Sequence, residues 1–285
     1  MKEKEVIVLR LVLLVLLGTA LAGMAQGPVE ELLSQADALY DCGHGNFEFT
    51  EYEARLREAI SIWEGVLPLL NDRESRRAVL VKLSRAWFEL AEGYLQKDQD
   101  KEAAYKKGKD YGLSALRLDG GFVLVEGKEG FRAALQTASD VEALFWYGNN
   151  LGRWLAYHYW EALTGGTRDV FAAFARCAEL DESYWAGGPR RALANFLAQT
   201  PGFLGGDLQR AKTEFQRALE LAPHFLQNYV DYAEHWAKKV GDSALFCSLV
   251  EEALRRGAEP EVFWSWPFYN TLALRRAGSL RQECR

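Results

Sequence analysis

Residues 145–160 read FWYGNNLGRWLAYHYW, with seven aromatics in sixteen positions. Trp146, Asn149, Asn150, Arg153, Trp154 and Tyr157 fall at i, i+3, i+4, i+7, i+8 and i+11, which places them on one face of a helix. A plain core face would carry Leu, Ile and Ala. Burying two amides and a guanidinium costs several kcal/mol unless each finds a partner. An aromatic-lined ligand groove with a few polar orienting groups accounts for the mixture. The competing account is that Trp and Tyr make inter-helix core contacts while the Asn pair bonds neighbouring loops.

A second oddity is WAGGPRRALANFL at 185–197. Pro189 suits a helix start, yet Arg190 and Arg191 then crowd the positive end of the helix dipole. They either pair with an acid such as Asp181 or Glu182, or serve a site that wants positive charge, with Trp185 and Arg191 as its candidates. The four histidines, His44, His158, His224 and His235, form no metal-ligand spacing beyond Asp231 and His235 at i, i+4, which reads as a surface contact. No phosphate loop, nucleophile elbow or H-E-x-x-H sequence occurs, so no catalytic residue, metal or cofactor is assigned and the chain is not expected to be an enzyme.

These groups sit on helices. Periodicity near 3.6 recurs after residue 28, and no run alternates with period two for long. Helices are expected over 29–40, 51–67, 75–96, 101–118, 128–138, 140–163, 169–180, 190–199, 207–221, 225–239, 243–256 and 262–277. The breaks CGHGN, LPLLND, LDGGF, LTGGT, WAGGP, PGFLGGD and RRGAEP all carry Gly or Pro. The run at 96–110 reads as a solvated helix face. In the unit at 207–223, Ala211, Phe215, Ala218 and Pro223 have the spacing of a tetratricopeptide second helix, and its cadence recurs at 113–122 and 174–184. Degenerate helix pairs of this kind stack into an all-α solenoid with a concave face.

The 285 residues are 49% apolar and 26% charged, a globular composition, and the net charge of −6 excludes a nucleic-acid partner. Residues 1–25 have the layout of a secretory signal peptide: Lys2, Lys4 and Arg10, then LVLLVLLGTALA, then small residues through Ala25. Removing them leaves −7 and one helical domain over 26–285. LAGM has Met24 where a lipoprotein carries its lipidated Cys, so an exported, periplasmic protein without a lipid anchor is expected; a retained N-terminal helix is the alternative. Cys177 and Cys247 lie on apolar helical faces and read as small buried hydrophobes, while Cys42 and Cys284 are left unassigned.

The stretch TPGFLGGD, 200–207, opens the turn of a helical repeat unusually wide. Pro201 ends one helix, Gly202, Gly205 and Gly206 permit backbone angles closed to other residues, and Asp207 is placed to cap the next. Phe203-Leu204 becomes an apolar finger, expected to pack over the concave face near 145–160 and to line a pocket there.

ELDESYWAGGPRRAL, then TPGFLGGD feeding AKTEFQRALELAP, then YVDYAE resemble the T component of tetratricopeptide-associated TRAP transporters, the TatT family, over 140–255 and less specifically over 30–260. Gly187, Gly188, Pro189, Arg191, Pro201, Gly205, Gly206 and Asp207 match its pattern. The resemblance implies a periplasmic accessory, not an enzyme, working beside a solute-binding protein of an ion-gradient-driven importer. It implies a small apolar, amphipathic or carboxylate ligand, and leaves a homo-oligomer open. Many relatives are lipoproteins, and Met24 departs from that. A scaffold binding peptide segments of envelope proteins, for which Asn149-Asn150 is suited, is the alternative.

Overall fold

The computed structural model describes residues 27–43 and 45–284, and every regular element among them is helical. The expected leader and its cleavage point, with Met24 and His44, lie outside the described residues. Helix α1 over 27–40 leads to α2 (Phe49–Val66), α3 (Arg73–Gly93) and α4 (Asp98–Leu116). The short α5 (Gly120–Glu129) and α6 (Phe131–Thr137) precede α7 (Val141–Leu155). A single turn, α8 (Tyr159–Glu161), and a π-helical segment lead into α9 (Thr167–Leu180) and α10 (Tyr184–Gln199). Next come α11 (Leu208–Leu221) and α12 (Leu226–Asp231), whose axis continues through the π turn Tyr232–Ala237 into α13 (Lys238–Val240). Helices α14 (Ser243–Gly257), α15 (Pro260–Ser265) and α16 (Pro267–Leu280) complete the chain.

Aspartate sets where several of these helices begin. Asp72, Asp119, Asp140, Asp207 and Asp242 each accept a backbone N–H from the first turn that follows. The Asp119 cap explains one departure from expectation: the Gly-Gly pair at 120–121 opens α5 instead of breaking the chain. Two other expected helices are divided. The one over 140–163 stops at Leu155, because beyond it Tyr159 and Trp160 have no core to face and are exposed. Pro267 splits the one over 262–277 by starting α16.

Neighbouring helices pack in pairs and stack. Ala211, Phe215 and Ala218 are fully buried in the α10–α11 contact, and a Cβ on Gly112 would meet the Tyr147 backbone at 3.0 Å, so α4 and α7 touch almost backbone to backbone. The stack also closes on itself. Phe268 of α16 is 1% exposed and packs on Phe49, Tyr52 and Tyr94 of α2 and its neighbourhood, with ring centroids 5.8 to 6.1 Å apart. Beside it, the Glu89 carboxylate of α3 accepts from Tyr40 of α1 at 2.6 Å and from Tyr269 of α16 at 2.7 Å, and pairs with Arg85 at 2.7 Å. First and last helices therefore meet, and the concave face becomes the inside of a ring.

Cys247 corrects an expectation. It is disulfide-bonded to Cys284, tying α14 to the turn after α16, where the sequence reading had a buried thiol. Positions 37 apart come together only because α16 doubles back along α14. Cys177 is free and fully buried, and Cys42 is free and partly buried.

Candidate functional site

Two adjoining clefts, both partly open to solvent, lie along α7 and α10. One, about 420 Å³, is walled by α3, α7, α10, α12 with its π turn, and α16. The other, about 320 Å³, lies between α7, α9 and α10 and the π segment before α9. Asn149, Arg153, Ala192, Asn195, Asp231 and His235 face both. Helix α7 is central because its apolar stripe, Leu144 and Leu151 among others, is buried against neighbours, which turns Asn149 and Arg153 to the interior. The π turn at Tyr232–Ala237 adds a residue to one turn of α12, and Asp231 and His235 straddle its start.

The two cavities differ in chemistry. Leu155, Val170, Phe174 and Phe196 form an apolar patch in the smaller one, which Thr167, Gln199 and Thr200 also line. The larger carries three ion pairs on different walls. Arg153 pairs with Glu92 at 2.7 Å, Arg191 with Asp231 at 3.4 Å, and Arg276 with Glu234. The Glu92 carboxylate raises the Arg153 pKa, whereas burial lowers that of Arg191. Arg191 also donates to Asn228 at 3.0 Å and lies 4.7 Å over the Phe225 ring. Asn195 donates to Asp231 at 2.7 Å, while its Oδ1 is buried and has no hydrogen-bond partner among the described residues.

Trp185 reaches the larger cavity through strained backbone. Trp185, Ala186 and Gly187 have φ of +49°, +58° and +71°, a region that non-glycine residues enter at a cost of about 1–3 kcal/mol each. A Cβ at Gly187 would also stand 3.1 Å from the Ala218 carbonyl oxygen, so the turn is held against α11. It sets the Trp185 ring at 5.1 Å from Trp146, 4.9 Å from Trp266 and 4.0 Å from the Arg85 guanidinium.

A model of the TRAP transporter T-component family, TAtT, matches residues 69–285. The chain belongs to that family. No curated protein matches this chain. One similar solved structure comes from work on the computational design of self-assembling cyclic protein homooligomers. It is 12% identical, covers 93% of this chain and 95% of its own, and has a TM-score of 0.18, too low to bear on the fold. Membership makes this T-component an accessory part of an envelope transporter, and among its described residues no helix is long and apolar enough to cross a membrane.

Only part of the expected face of α7 lines the ring interior of this T-component. Trp146, Asn149 and Arg153 do, and so do Trp185 and Arg191 from α10. Asn150 does not: it is fully buried between α3 and α4, donating to the Ser84 carbonyl at 2.9 Å with its amide against Gly108. Trp154 turns to α4, donating to Glu102 at 3.0 Å and stacking on His158, and Tyr157 stacks near Tyr105 with its hydroxyl towards Asp98. A stripe spanning eleven residues curves around the helix, and three neighbouring helices share it. Phe203 and Leu204 also depart from expectation. Phe203 is 84% exposed, and both lie in a separate outer groove beyond α10, not over the concave face. Pro201 turns the finger outward before it could reach α7, and Asp207 N–H returns the chain to Leu197 at 2.9 Å.

Arg190 takes the ion-pair reading, at 2.8 Å from Glu182, while Arg191 enters the cavity wall. Asp231 and His235 line the cavity instead of the surface, though among the described residues no cluster of three or more His, Cys, Asp or Glu side chains could hold a metal ion. Glu92, Asn195 and Gln227 were missed. Asn195, an amide among Ala and Leu in RALANFLA, carried the one signal that could have found them, an unpaired polar group on an apolar face.

Proposed function

We propose that this T-component is a non-catalytic periplasmic accessory that docks the solute-binding protein of its TRAP importer and receives an amphipathic solute inside its ring. The observation that carries this reading is the pair of adjoining clefts that share Asn149, Arg153, Asn195 and Asp231, one holding the apolar patch of Leu155, Val170, Phe174 and Phe196 and the other three ion pairs. Their volumes lie in the range of small-ligand sites. The apolar body of the solute would lie against Leu155, Val170 and Phe174, and its polar end near Asn149, Asn195 and Asp231. A carboxylate there competes with Glu92 for Arg153, whose side chain is 52% exposed. The peptide-scaffold alternative rested on Asn149-Asn150, and it loses that support: Asn150 is buried, and the Asn149 amide donates to the Phe145 carbonyl of its own helix at 2.8 Å.

Gly152 supplies the test. A Cβ there meets only Val170, at 3.8 Å, so a large side chain has room at its base and projects into the smaller cavity. Wild type purified from its own periplasm and examined by native mass spectrometry should carry a small mass released on activation. Gly152→Trp should lose that mass while its thermal unfolding stays within a few degrees of wild type. A bound mass unaffected by the substitution would refute the cavity as the solute site.

A further inference from the structure

The outer groove beside Phe203 has features of a surface built to be covered. The loop that carries Phe203 is tied by backbone hydrogen bonds: Leu204 and Gly206 N–H both bond the Pro201 carbonyl, at 2.9 and 3.1 Å, and Asp207 N–H bonds Leu197. Gly205 has φ of +102°, and a Cβ on Gly206 would stand 1.8 Å from the Thr200 carbonyl oxygen, so the tip admits little other than glycine. Phe203 is 84% exposed and stands beside a groove with an apolar floor, so the two together present a continuous apolar surface. Such preorganised aromatics contribute most at protein interfaces, where no ordering cost remains on binding.

The neighbouring groove, about 360 Å³, has an apolar floor and a basic rim. Phe171 and Phe196, with ring centroids 5.6 Å apart, and Leu204 form the floor. Arg132, Arg168 and Arg210 stand around it. Asp207 is its one acidic lining residue, and an Asp207 oxygen already caps α11. Arg132 and Arg210 are paired with Asp169 and Glu214, but Arg168 is exposed and has no acidic partner among the described residues.

We propose that Phe203 and this arginine-rimmed groove are the docking site for an acidic segment of the transporter's solute-binding component, one that sets carboxylates beside an apolar side chain. The proposal rests on the docking role given above and adds the face that performs it. The exposed Phe203 ring enters an apolar depression of the partner, and the partner's carboxylates meet Arg168 at the rim. Long-range attraction between the two accelerates encounter at low salt.

The test measures binding of the purified solute-binding component encoded with this chain to the full mature protein, by biolayer interferometry at two salt concentrations. Phe203→Ser should weaken binding by about tenfold or more, as loss of an interface anchor does. Arg168→Glu should weaken it by about fivefold and reduce its salt dependence, as loss of a rim charge does. Both side chains are exposed, so thermal unfolding should not change. If wild type binds and both variants bind equally well, this face is wrong while the docking role stands. If wild type does not bind the component at all, the docking role and this face fall together. If Phe203→Ser instead dissociates an oligomer in analytical ultracentrifugation, the occupant is a second copy of this chain and the proposal is overturned.

Discussion

Replacing Glu89 with Ala tests whether the ring is closed by a buried ion network. Glu89 is 1% exposed, and its carboxylate serves Arg85, Tyr40 and Tyr269 from three different helices. Its removal leaves the Arg85 guanidinium without a counter-charge and two buried hydroxyls without an acceptor. Breaking a buried pair from one side costs about 3–5 kcal/mol. Two features hold the value near the lower end: the Arg85 side chain keeps 21% exposure, and its guanidinium lies 4.0 Å over Trp185 and 4.8 Å over Tyr40. For a chain of this size the loss lowers Tm by on the order of 10 °C. Urea unfolding of the mature chain followed by circular dichroism measures it. Because the buried charges themselves are costly, Arg85→Met combined with Glu89→Leu should recover much of the loss. A Glu89→Ala cost below about 1 kcal/mol, the value of an exposed pair, would refute the reasoning.

Two further outcomes follow from the same structure. Cys247→Ser removes a crosslink across 37 positions and should lower stability by about 2–4 kcal/mol, read by urea unfolding without reductant; unchanged stability would show that the bridge is absent in solution. Arg217 and Arg190 hold the Glu182 carboxyl at about 2 instead of its usual 4.5. A depressed acid stabilises the fold above its unfolded pKa, so this contribution is complete above about pH 4.5 and is lost as pH falls towards 2. Glu182→Gln should flatten that part of the acid-unfolding curve by a fraction of a kcal/mol, because the group is partly exposed. An identical acid limb in the variant would place the Glu182 pKa near its ordinary value.

The helical class, most helix positions and the α11 face were legible in the sequence, because 3.6-residue periodicity and aspartate caps are local signals that packing did not override. The family was legible for a similar reason: the glycines of WAGGP and PGFLGGD mark backbone that other residues cannot follow, and Gly206 against the Thr200 carbonyl shows why. What tertiary structure alone decided was where each stripe points. Asn149 and Asn150 are adjacent in sequence, yet one faces the cavity and the other the α3–α4 contact, because successive residues on a helix are about 100° apart and three neighbours compete for the face. The pairing of Cys247 with Cys284, the meeting of Glu89 with Tyr269, and the outward course of Phe203 all depend on the ring closing. That closure is a contact between the first helices and the last, which periodicity within a single helix does not encode.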